Sequence, residues 1–65
     1  MNTQYYFISN IDKQIHNLND VKHNQIYETN TEIIDDNNQV IDNVTLYKGI
    51  IGLKVLIKIL SGERI

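Results

Sequence analysis

Val44-Thr45-Leu46-Tyr47-Lys48-Gly49-Ile50-Ile51-Gly52-Leu53-Lys54-Val55-Leu56-Ile57-Lys58-Ile59-Leu60 is the stretch whose reading decides the fold, and two periods fit it. Leu46, Ile50, Leu53, Ile57 and Leu60 recur at steps of four and three, which lines one face of a helix. Asn43 stands where such a helix would be capped, and Gly62 where a glycine would end it. Leu53, Val55, Ile57 and Ile59 also alternate with Lys54, Leu56, Lys58 and Leu60, as a strand would. Gly49 and Gly52 weigh against the helix at about 1 kcal/mol each relative to Ala. On a helical wheel Val44, Ile51, Val55 and Ile59 fall on the lysine side, where a simple amphipathic helix would not put them. The helical reading weighs slightly more, and either period leaves a mixed α+β chain.

Upstream, Gln25–Ile34 reads as a strand, carrying Ile26, Tyr27, Ile33 and Ile34 among Thr and Glu. Asp35-Asp36-Asn37-Asn38 follows, a cluster that tolerates left-handed backbone and favours tight turns. Gln39–Asp42 resumes with Val40 and Ile41, so strand, turn and strand predict a hairpin. Thr3–Ser9 (TQYYFIS) is dense in aromatic and β-favouring side chains and reads as a first strand. Beyond it, Ile11, Ile15, Leu18 and Val21 share one face of a helix that Ser9 or Asn10 would cap. Asn17, Asn19 and Asp20 weaken that helix, because their side chains compete for its backbone. The expected architecture is a small antiparallel sheet, made of the N-terminal strand and the acidic hairpin, with one or two helices. Residues 1–65 read as a single small domain without repeats or linkers.

At 65 residues, such a chain buries only about 60% of the surface its unfolded form exposes. Small folds compensate with disulfides, metals or partner chains. The sequence has no cysteine, which excludes disulfides and thiolate zinc sites and leaves patterned packing or self-association. Ala, Pro and Trp are also missing, and Ile and Asn together make about a third of the chain. That bias toward AT-rich codons suggests an AT-rich genome, which includes many low-GC bacteria with their phages and plasmids. Met1–Tyr6 lacks the basic stretch and apolar core of a secretory signal, so the cytoplasm is the expected compartment.

Charge is segregated. The net is −2 overall, but residues 1–47 carry seven acidic and two basic side chains, whereas Lys48, Lys54, Lys58 and Arg64 face only Glu63 beyond them. Glu28, Glu32, Asp35, Asp36 and Asp42 form a block with no basic residue inside it. On a hairpin these carboxylates discourage unwanted strand pairing, or steer the chain toward a basic partner. Tyr5, Tyr6, Tyr27 and Tyr47 supply the rigid amphipathic contact area that protein interfaces favour. On a strand Tyr5 and Tyr6 point to opposite faces, so one of them is expected to face outward.

Signals for other chemistry are thin. Asp12, His16, Asp20 and His23 are the only metal-type cluster, and over three helical turns they are too far apart to meet one ion. Asp35–Gln39 opens like a calcium loop but lacks the required glycine, and Leu46 stands where a bidentate Glu belongs. Ser9 and Ser61 have no nucleophile-elbow context, and Gly49-Ile50-Ile51-Gly52 lacks the Lys-Ser/Thr ending of a phosphate loop. No cofactor and no enzymatic activity are expected. Lysines at 48, 54 and 58 interrupt residues 44–60, which are too short and too charged to span a bilayer. That run reads better as core or as a dimer seam than as a membrane-surface segment.

The expectation is therefore a small cytoplasmic protein–protein interaction module that is homo-oligomeric. Tyr5, Tyr6, Tyr27, Glu28, Glu32, Asp35, Asp36 and Asp42 are its candidate partner-binding residues. Such a chain suits a phage- or plasmid-encoded inhibitor that occludes a basic surface on a host nucleic-acid-binding or defence protein. The alternative is a small dimeric nucleic-acid-binding regulator that pools Lys48, Lys54, Lys58 and Arg64. A membrane-active peptide built on the C-terminal run is a third class.

Overall fold

A computed structural model describes residues 3–62. Strands β1 (Tyr5–Ile8), β2 (Ile15–Asn17), β3 (Asn30–Ile34), β4 (Val40–Thr45) and β5 (Tyr47–Lys48) precede helix α1 (Gly49–Leu60), and a 3₁₀ turn at Leu18–Asp20 follows β2. The class is α+β, with two antiparallel sheets in the order β2-β1-β5 and β3-β4. The N-terminal strand is central to the first sheet, pairing Phe7 with His16 on one side and Tyr6 with Tyr47 on the other. The acidic hairpin makes the second sheet by itself.

The hairpin turn forms as its residues predict. The Asp35 carboxylate accepts from the N–H groups of Asn37 and Gln39 at 2.8 and 2.9 Å, and Asn38 takes the left-handed conformation at φ 63°. Register then runs from Ile33↔Asp42 to Ile34↔Val40, which leaves Ile41 as the extra residue of a bulge. β3 is shorter at its start than Gln25–Ile34 predicts. Tyr27 and Asn30 exchange both backbone hydrogen bonds, at 2.8 and 2.9 Å, so a tight reversal over Glu28-Thr29 precedes the strand. β4 is longer than Gln39–Asp42 and runs to Thr45.

The helix expected across Ile11–Val21 does not form. The Ser9 hydroxyl accepts from Ile11 N–H at 3.0 Å, Asp12 accepts from Gln14 N–H at 2.9 Å, and Lys13 turns the chain with φ 60°. Ser9 N–H then bonds Gln14 C=O at 3.0 Å, and β2 folds back on β1. Asn17 likewise spends its side-chain oxygen on Asn19 N–H at 2.9 Å, opening the 3₁₀ turn. These short polar side chains satisfy the backbone locally and outcompete helical bonds. The Ile11/Ile15/Leu18/Val21 stripe is broken up, with Leu18 buried and Ile11 exposed.

The core lies between the two sheets, where Phe7, Leu18, Ile33, Val44 and Leu46 form one buried cluster against which Tyr5, Val21 and Ile26 pack. The envelope measures 38 × 29 × 19 Å, and Phe7 and Leu56 are the largest side chains enclosed completely among the described residues.

α1 follows the helical reading of the C-terminal run, and Gly62, at φ 79°, ends it. Two details differ from the sequence pattern. Asn43 lies in β4 and Lys48 occupies the cap position without a side-chain bond, because Leu46 is drawn into the core and its N–H bonds Thr29 C=O at 2.7 Å. The buried face is Gly52 and Leu56, not the Leu46/Ile50/Leu53/Ile57/Leu60 stripe. Gly52 sets this orientation. A Cβ there would lie 2.7 Å from the Tyr47 carbonyl carbon, so only glycine lets α1 approach β5 so closely. No described helix is long and apolar enough to cross a membrane.

Candidate protein-binding surfaces

The Tyr27–Asn30 reversal builds the most exposed aromatic side chain of the described residues. Tyr27 is 75% exposed. Glu28 beside it holds φ 55°, a left-handed conformation that strains any residue with a Cβ. Positive φ at the first central residue alone is the habit of type II′ hairpin turns, which prefer glycine there. Tyr27 forms one wall of an open cleft of about 240 Å³ lined also by Gln25, Asn30, Thr31, Glu32 and Asn43. Asn24 holds the Glu32 carboxylate through an Nδ2–Oε1 bond of 2.9 Å and pins the adjoining chain through its own N–H to Glu32 C=O, also 2.9 Å. Thr31, buried below, donates its hydroxyl to Asn24 C=O at 2.9 Å. An aromatic wall, one carboxylate and three amide side chains make an acceptor-rich pocket suited to a Lys or Arg side chain.

The candidate residues thus separate into groups. Tyr27, Glu28 and Glu32 gather at one end of the hairpin. Asp35 and Asp36 sit at the other, about 15 Å away along β3. Asp36 is exposed, whereas Asp35 is half-buried and committed to its turn. Glu28, Glu32, Asp35 and Asp36 have no cationic partner within ion-pair distance among the described residues. Tyr5 and Tyr6 are both half-buried in the central strand of the other sheet, and Tyr5 packs on the core.

Asp42 is not reachable by a partner. At 9% exposure its Oδ2 accepts from Asn10 N–H at 3.0 Å, with the Ser9 hydroxyl at 3.5 Å. Its Oδ1 accepts from Asn10 Nδ2 at 2.9 Å, and the same amide reaches Asn43 C=O at 3.1 Å. The carboxylate ties the end of β1 to β4, and so one sheet to the other.

Of the metal-type residues, the β1–β2 reversal brings two together. His16 Nε2 lies 2.8 Å from Asp12 Oδ2, with its ring stacked on Phe7 at 5.5 Å between centroids. The Gln14 N–H bond and the His16 contact hold the Asp12 carboxyl below its usual value of 3.8. Among the described residues no three His, Cys, Asp or Glu side chains converge.

The second surface is α1. Docked on β1 and β5 through Gly52 and Leu56, it leaves Ile50, Ile51, Ile57, Ile59 and Leu60 in solvent beside Lys54 and Lys58. The wheel signalled Ile51 and Ile59, which fall on the lysine side, but not Ile50, Ile57 and Leu60, which belong to the stripe expected to be the apolar face. Gln25, Asn30 and Asn43 of the Tyr27 cleft had no such signal, being dispersed amides in an Asn-rich chain.

No known protein family, curated protein or solved structure matches this chain.

Proposed function

We propose that this chain is a small protein-interaction module that sets its Tyr27 cleft against a basic surface of another protein and acts by occlusion. The observation carrying this reading is Tyr27, exposed on a strained turn at the wall of an acceptor-rich cleft that also holds Glu32. A large aromatic side chain in solvent is a poor use of apolar area unless something covers it, and tyrosine ranks high among interface hot spots. Unpaired carboxylates around it steer a cationic partner inward and reject anionic ones. A nucleic-acid-binding or defence protein, whose working surface is itself basic, has the complementary charge. With the AT-rich codon bias, this makes a phage- or plasmid-borne inhibitor acting in the cytoplasm the reading we favour.

The test is capture by tagged protein from nuclease-treated lysate of a low-GC bacterium, followed by assay of the captured protein's nucleic-acid binding. A stoichiometric partner should be retained by the native chain and lost by Tyr27→Ala and Glu32→Lys, and its nucleic-acid binding should fall as the complex forms. Equal capture by both variants would refute the cleft as the site. Retention of DNA instead, weakening steeply with salt, would support a regulator using Lys48, Lys54 and Lys58.

A further inference from the structure

We infer that the outer edge of β4 is a strand-addition site, and that its occupant is an extended segment of another protein in which apolar and basic residues alternate. Leu46 N–H bonds Thr29 C=O, on the β3 side, at 2.7 Å. Backbone groups alternate in direction along an antiparallel strand. Val44 and Asp42 therefore also turn toward β3, while Asn43 and Thr45 turn away from it. Asn10 marks this outward direction, since its Nδ2 donates to Asn43 C=O at 3.1 Å. Among the described residues, the N–H groups of Asn43 and Thr45 and the Thr45 C=O find no partner. Open edges are normally blunted. The bulge at Ile41 does so at the start of β4, and the Asn10 amide covers one carbonyl. The rest of the edge, through Thr45, stays open.

An open groove of about 220 Å³ runs along this edge, and Asn43, Val44 and Thr45 all line it. Their side chains point to alternate faces of the strand, so what the three share is its edge. Opposite them stand Ile8 of β1 and Leu56 and Ile59 of α1. Gly52, Leu56 and Ile59 are spaced four and three apart, so Ile59 continues the docked face of α1 over the groove, yet stays 50% exposed. A chain laid along β4 pairs with the open backbone groups and sets every second side chain against Ile8, Leu56 and Ile59.

Charge selects the remaining side chains. They lie beside Asn43 and Thr45, and Glu32 stands behind Asn43 in register. That carboxylate is about 10 Å from the added strand, within reach of a long side chain. It has no cationic partner within ion-pair distance among the described residues, which favours Lys or Arg there. A second copy offers no such match, because the only charged residue of β4 is Asp42.

The test is amide NMR of the whole ¹⁵N-labelled chain, titrated to about 5 mM with a capped hexapeptide of alternating Val and Lys. Without peptide, the Asn43 and Thr45 amides should exchange fast and those of Val44 and Leu46 slowly. With it, Asn43 and Thr45 should shift and exchange at least about tenfold more slowly. N-methylating the alternate peptide amides that pair with β4 should weaken binding about tenfold or more, whereas methylating the other set should not. Thr45→Pro removes one outward N–H at an edge position that tolerates proline, and should weaken the probe similarly. Shifts confined to Glu28–Asp36, absence of any change at Asn43 and Thr45, or equal binding of both methylated peptides would each overturn the inference. So would amides already protected in a chain that sediments as a dimer, which would make a second copy the occupant. Probe binding should survive Tyr27→Ala, so failure of the edge is separable from failure of the cleft.

Discussion

Replacing Asp42 with Ala should destabilise the fold rather than weaken a contact with a partner. The carboxylate takes two well-formed hydrogen bonds, from Asn10 N–H at 3.0 Å and Asn10 Nδ2 at 2.9 Å, with Ser9 Oγ at the limit of bonding distance. A bond to a charged group contributes about 1.5–3 kcal/mol, so two give about 3–6, and partial solvation of Asn10 argues for the lower end. A domain of this size has a total stability of about 3–10 kcal/mol. Asp42→Ala therefore removes a third of that or more. Asp42→Asn keeps the shape but turns one acceptor into a donor facing a donor, for a loss of about 1–2 kcal/mol. Urea unfolding at pH 7, followed by tyrosine fluorescence and far-UV dichroism, reads both values. An Asn10→Ala/Asp42→Ala cycle should give a coupling of about 1.5 kcal/mol or more, since the two side chains share the interaction. An Asp42→Ala midpoint equivalent to within about 0.5 kcal/mol of the native chain would refute the inter-sheet role.

Gly52→Ala sets two effects in opposition. Helix propensity favours Ala by about 1 kcal/mol, but the new Cβ would sit 2.7 Å from Tyr47 backbone, and moving α1 costs about 1–3 kcal/mol or more. Tm should fall by several degrees, and a rise would show that α1 can shift freely. Glu28→Gly relieves the left-handed strain and should gain roughly 0.5–1 kcal/mol after the extra backbone entropy of glycine is deducted. If the Tyr27 cleft is the site, the same change weakens partner binding. Asp12 has its pKa lowered by the Gln14 N–H and by His16, so its stabilisation is fully present above pH 3.8 and lost as pH falls through the lowered value. Asp12→Asn should flatten that acid limb in urea midpoints measured from pH 2 to 6, and an unaltered limb would exclude Asp12 as its source. Asp36→Lys should leave stability within about 0.5 kcal/mol of native, whereas Asp35→Lys loses the turn bonds at a cost of about 1–2 kcal/mol. Charge reversal for a binding assay therefore belongs at Asp36.

The candidate surfaces were only partly legible. Tyr27 and Glu32 appear in the chain as an aromatic and a carboxylate five residues apart, and a reversal at Glu28-Thr29 joins them in one cleft. Neither of those two residues is a usual turn former, so the reversal had no local signal. Asp42 looked like one more carboxylate of an acidic block. Its neighbours Ser9 and Asn10 lie over thirty residues away in sequence, and a contact of that separation leaves no mark on local pattern.

Local chemistry by itself determined the α+β class, the Asp35–Asn38 turn, the β character of Tyr5–Ile8 and the stop at Gly62. In each of these, short-range side-chain and backbone preferences agree with the final structure. Tertiary structure decided what local signals left in conflict. Across Ile11–Val21 an apolar rhythm competed with Ser, Asp and Asn side chains, and pairing of β2 with β1 settled it for the strand. In α1 the apolar surplus left several faces eligible for burial. The one chosen carries Gly52, because only a residue without a side chain lets the helix backbone come within contact of Tyr47.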